Sequence, residues 1–117
     1  MSPTQTQYRD MAAAKMTESD LLGSVRRIAK DLGLRAYHTH DSRRSEPGFP
    51  DLVIVGPDGV LYRELKTQKG RVRPEQTAWI TDLIRAGQNA GLWRPTDLLN
   101  GTVLDDMRTI TSMGKVA

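Results

Sequence analysis

The chain has 117 residues, no cysteine and a formal net charge of +3, which sets the expectation of one domain with a single modest core. The absence of cysteine excludes disulfides, thiolate zinc sites and cysteine nucleophiles, and fits a reducing cytoplasm. No apolar run exceeds the four residues of Leu52 to Val55, far short of a membrane span, and the N-terminus lacks a signal pattern, so neither export nor a membrane partner is expected.

Residues 1–16 are polar, small and weakly patterned, and read as a flexible arm or a short irregular helix. A helix is expected from about Glu18 to Leu32. Thr17 is a suitable N-cap, and Glu18 and Asp20 favour the first turn. Leu21, Leu22, Val25, Ile28, Ala29 and Leu32 form one apolar stripe, and Gly33 provides the stop. Residues 34–40, LRAYHTH, read as a strand. His38 and His40 share a face of it, but there is no third histidine to make a metal set. A polar loop with Arg43 and Arg44 follows.

DLVIVG and VLYRELK then read as two strands joined by a tight turn at Pro57-Asp58-Gly59. They should pair antiparallel, which brings Asp51 towards Glu64. Side chains alternate along a strand, so Glu64 and Lys66 share a face roughly 6–7 Å apart. Pro74 fits the first turn of a second helix, PEQTAWITDLIRAG, with Ala78, Trp79, Leu83, Ile84 and Ala86 facing the core. AGLWRP reads as a last strand, parallel to its neighbour through a right-handed crossover. Trp79 and Trp93 both read as core. Thr96 caps a possible C-terminal helix that Gly101 weakens.

Two carboxylates about 4 Å apart repel by roughly 4 kcal/mol at an effective dielectric near 20. A domain stable by about 5–15 kcal/mol needs a compensating cation to keep such a pair. Lys66 compensates in part. Mg²⁺ or Mn²⁺ would do so better on hard oxygen ligands, and would also take phosphate oxygens. A surface salt bridge is the bland alternative for an Asp, a Glu and a Lys on adjacent strands. Against it stand Asp51 opening an apolar run, the single tight hairpin, and the basic loop after Lys66. Lys69, Arg71 and Arg73 in that loop, with Arg43 and Arg44 before Asp51, are the expected nucleic-acid contacts.

Pro50-Asp51 followed by Glu64-Leu65-Lys66 resembles the PD-(D/E)XK nuclease superfamily. The ordered set GFPDLVIV, YRELK, KGRVRPEQ and LWRPTD, over about Thr17 to Asp97, resembles a stand-alone VRR-NUC domain of phage or bacterial type. The resemblance implies an α/β fold in residues 17–117: a restriction-endonuclease-like αβββαβ core, a mixed sheet flanked by helices, and a short helical tail. It implies Mg²⁺- or Mn²⁺-dependent hydrolysis of phosphodiester bonds. Asp51, Glu64 and the Leu65 carbonyl would hold metal, and Glu18 matches an acidic position aimed at the same site. Lys66 would act on the attacking water, and Gln76 would orient water or phosphate. Small members resemble structure-selective endonucleases of four-way (Holliday) junctions that work as homodimers, which implies branched DNA and a second copy as partners. The alternatives are a non-cutting nucleic-acid-binding module of the same fold and a nuclease for flaps, nicks or RNA.

Overall fold

The structure, a computed structural model, describes residues 2–39 and 46–112. His40, Arg43, Arg44 and Ser45 lie outside the described residues. The elements in chain order are α1 (Gln5–Lys15), α2 (Glu18–Asp31), β1 (Arg35–His38), β2 (Leu52–Gly56), β3 (Gly59–Leu65), α3 (Pro74–Arg85), β4 (Asn89–Trp93), α4 (Pro95–Leu99) and α5 (Thr102–Arg108). Among the described residues no helix is long and apolar enough to cross a membrane.

Of the two expectations for the N-terminal segment, an arm or a short irregular helix, the structure has a helix. The segment forms the regular helix α1, because Thr4 accepts from the Gln7 backbone while the Gln7 side chain caps Thr4 in return. Its Ala13 is buried. A second capping box, Thr17 with Asp20, starts α2 as the sequence indicates.

The sheet has the order β1-β2-β3-β4. The first three strands are antiparallel, and β4 returns through α3 to lie parallel to β3. The β2–β3 turn is two residues long, since Gly56 pairs with Gly59. That tight closure fixes the register Ile54↔Leu61 and Leu52↔Arg63, and one step further it sets Asp51 opposite Glu64.

One sheet face carries the core. Leu52, Ile54, Leu61, Leu65 and Trp93 cluster there with Leu21, Val25 and Ala29 of α2 and with Val103 and Met107 of α5. The tail is two short helices rather than one, because Gly101 adopts a φ of +92° between them. Arg63 also turns to this face and is buried. Its guanidinium donates to the Asn89 carbonyl and side-chain oxygen at 2.9 and 2.7 Å, and lies 3.4 Å from Asp106. It sits over the Trp93 ring at 5.1 Å, and Trp93 Nε1 donates to the same Asp106 carboxylate at 2.8 Å. Burial lowers the Arg63 pKa, and Asp106 opposes that shift. This network ties β3, β4 and α5 together beneath the strand that carries Glu64.

The opposite face carries α3. Trp79 is not in the core but half-buried, and Ala78, Ile84 and Ala86 are exposed. The reason is local: the Trp79 indole donates to the Pro47 carbonyl at 3.1 Å and stacks edge-on against Phe49 at 5.1 Å. It binds the loop before Asp51 to α3.

Candidate nuclease active site

Four of the expected residues meet at one end of β2 and β3. Asp51 follows the 47–50 segment, whose shape depends on Gly48. Gly48 has a φ of +91°, and a Cβ there would collide with the Glu75 backbone. A glycine alone lets this segment close on the start of α3. Asp51 is held in turn, because its Oδ2 accepts from the Leu65 backbone N–H at 3.0 Å.

Glu64 is 2% exposed. Its Oε2 accepts from Gln76 Nε2 at 2.8 Å and lies 3.6 Å from Lys66 Nζ. Its Oε1 is buried with no hydrogen-bond partner. Burial, helped by the charge of Asp51 and opposed by Lys66, pushes the Glu64 carboxyl up to about 8. Gln76 is itself buried, and its Oε1 accepts from the Arg73 backbone N–H at 2.9 Å. The helix start therefore orients the amide that meets Glu64. A cleft of about 180 Å³ opens here, lined by Thr39, Gly48, Asp51, Arg73 and Gln76 among others. A larger hollow on α1, lined by Thr4, Gln7 and Asp10, collects no carboxylate pair.

The remaining expected residues divide. Lys69, Arg71 and Arg73 are exposed on the loop after Lys66. Glu18 is exposed at the first position of α2. Among the described residues no three His, Cys, Asp or Glu side chains group as metal ligands, so Glu18 does not join Asp51 and Glu64 here. His38 pairs with Leu52 at the end of β1, and His40 lies outside the described residues.

One residue went unnoticed in the sequence. Arg94 Nη1 donates to the carbonyls of Thr67, Gln68 and Gly70 at 2.7, 3.3 and 2.9 Å. The Gln68 side chain accepts from Thr96 N, and Lys66 N donates to the Trp93 carbonyl. The basic loop is thus fastened to the end of β4. Its only sequence signal is the arginine in LWRP.

A family model, the VRR-NUC domain, matches residues 2–95. The chain belongs to the VRR-NUC family. The VRR-NUC domain is a nuclease-type domain, and the αβββαβ reading of its core agrees with two solved structures. One, a VRR_NUC domain, is 19% identical, with a TM-score of 0.60 over 73% of this chain and 92% of that one. The other, a VRR_NUC domain protein, is 20% identical, with a TM-score of 0.61 over 80% and 90%. At such identities the likeness is one of fold. No curated protein matches the chain. The match starts ahead of the expected domain boundary at residue 17, so α1 falls within the matched region.

Proposed function

We propose that this VRR-NUC domain is a divalent-metal-dependent DNA endonuclease that hydrolyses phosphodiester bonds at Asp51, Glu64 and Lys66. The observation that carries the reading is the buried Glu64 opposite Asp51, with a partnerless Oε1. A buried carboxylate oxygen without a donor is costly, and a hard cation supplies what is missing. The donor set is oxygen from Asp51, Glu64 and the Leu65 carbonyl, which suits Mg²⁺ or Mn²⁺. When bound, such a cation would polarise a phosphoryl oxygen and make a water more acidic.

The chain's own residues supply the rest. The Lys66 ammonium, beside Glu64, orients the attacking water and offsets charge that builds on the phosphate. Gln76 holds Glu64 Oε2 in place and keeps a polar amide at the cleft wall. Asp51 is fixed by the Leu65 N–H, so its second oxygen is left for a cation. Lys69, Arg71 and Arg73, on a loop fastened by Arg94, receive the phosphate backbone.

The preferred substrate in this reading is branched DNA such as a four-way junction. A twofold dimer would make two symmetric cuts. Tyr37 and Val55 support a second copy, since both are exposed on the α3 side of the sheet. The cysteine-free composition supports work in a bacterial or phage-infected cytoplasm. The intact Asp51, Glu64 and Lys66 argue against a module that only binds.

Thermal unfolding with and without Mn²⁺ at neutral pH tests the metal half of the proposal. At 100 times its dissociation constant a native-state ligand adds about 2.7 kcal/mol. The wild type should gain several degrees in melting temperature and Asp51→Ala should gain little. Equal shifts in both proteins would remove Asp51 from the metal site.

A further inference from the structure

A second basic surface lies on α2, away from the carboxylates. Gly23, Arg26, Arg27 and Lys30 stand at i, i+3, i+4 and i+7, so they form one stripe along the helix. The stripe borders a groove of about 580 Å³ that runs past Gly33 and Leu34 to Ala36 of β1. Among the described residues none of these three cations makes an ion pair, although Asp31 is close in sequence.

Two features set the stripe apart from an ordinary solvated face. Arg26 and Lys30 are like charges one helical turn apart, an arrangement that weakens a helix by itself. Gly23 is also unfavourable inside a helix. A Cβ at Gly23 would meet nothing within 4 Å, so packing does not require the glycine. A bare stretch of helix backbone flanked by cations admits close approach by an anionic chain.

We propose that this stripe seats the phosphate backbone of a second duplex arm while another arm lies at the candidate active site. The inference rests on the reading of this chain as a nuclease for branched DNA. The topology favours two arms over one. The α2 helix covers the sheet face that holds Leu52, Ile54 and Leu61, whereas Glu64 points to the other face. The groove opens beside the edge strand β1, and the basic loop is fastened at the opposite edge, β4. Those edges are three strand spacings apart, roughly 14 Å. A straight duplex across the carboxylates does not also follow α2, because the sheet stands between them. Arms that diverge from a junction reach both.

The test compares binding of a labelled four-way junction and of a plain duplex, in EDTA so that nothing is cut. The proteins are wild type, Arg26→Ala/Arg27→Ala/Lys30→Ala, Gly23→Gln, and Arg71→Ala in the site loop. The triple variant should bind the junction at least tenfold more weakly, with a salt slope shallower by about 3, and bind the duplex within twofold of wild type. Gly23→Gln should melt no lower than wild type and still lose junction affinity, which a merely structural role would not produce. Arg71→Ala should weaken both ligands. Junction binding unchanged in the triple variant and in Gly23→Gln would overturn the second-arm proposal. Equal losses on junction and duplex would overturn it as well, because the stripe would then serve the first arm. Wild type that binds neither DNA would overturn the nuclease reading and the inference with it.

Discussion

Glu64→Gln is expected to stabilise the metal-free protein while it abolishes cleavage. In the folded chain Glu64 keeps its proton to about pH 8, against 4.5 for an ordinary glutamate. Between those values the folded state holds a proton that the unfolded chain has released. The stability contributed by this group is therefore full below about pH 4.5 and is lost as pH rises through about 8. Each unit of displacement corresponds to roughly 1.4 kcal/mol. Burial is the main cause, and Lys66 recovers only part of it. A glutamine copies the protonated form and still accepts the hydrogen bond from Gln76. In EDTA the variant should melt more than about 5 °C above wild type at pH 8, at about 4 °C per kcal/mol for this size, with the gap closing towards pH 4.5. Cleavage should fall by roughly three orders of magnitude, because a neutral amide holds a cation far less well and a bound cation is worth several kcal/mol to the reaction. A variant that melts lower than wild type at pH 8 would show that Glu64 is ionised and well compensated without metal.

Lys66→Ala should lower the single-turnover cleavage rate by about 10²–10⁴, the range for a positioned proton-transfer group, with DNA affinity within a few-fold of wild type. The ammonium is close to Glu64 at 3.6 Å but is not part of the basic loop. Its loss also removes the largest influence that holds the Glu64 carboxyl down, so the assay needs saturating metal. Lys66→Arg separates charge from proton handling. Recovery of most activity in the arginine variant would assign Lys66 to charge stabilisation alone. Near-normal cutting by Lys66→Ala would remove it from the mechanism.

The hairpin was legible in the sequence because one short turn sets its whole register. Once Pro57 and Asp58 close the loop, Asp51 can only approach Glu64. The apolar stripe of α2 and the burial of Trp93 were legible for the same reason, since periodicity assigns faces. Arg63 illustrates a rule left unapplied. It alternates in phase with Leu61 and Leu65, so its inward direction was available, but its partner Asp106 is 43 residues away. The Thr4 and Gln7 spacing likewise carried the capping signal of α1. Other features had no local trace. The acceptors of Arg94 are backbone carbonyls, which no residue type announces. The contact of Gly48 with Glu75 depends on how α3 docks, and so does the donation from Trp79 to Pro47. Gln76 stood out only through family resemblance, and its hydrogen bond to Glu64 gives that match a physical content.

The central claim is metal-dependent phosphodiester cleavage at Asp51 and Glu64. The most direct measurement is cutting of labelled four-way junction, flap and plain duplex DNA in Mg²⁺, Mn²⁺ or EDTA, beside Asp51→Ala. The account predicts cutting in metal and none in EDTA, loss in the Asp51→Ala protein, and the junction as the preferred substrate. Binding of DNA without cutting in either metal, or equal cutting by Asp51→Ala, would contradict it.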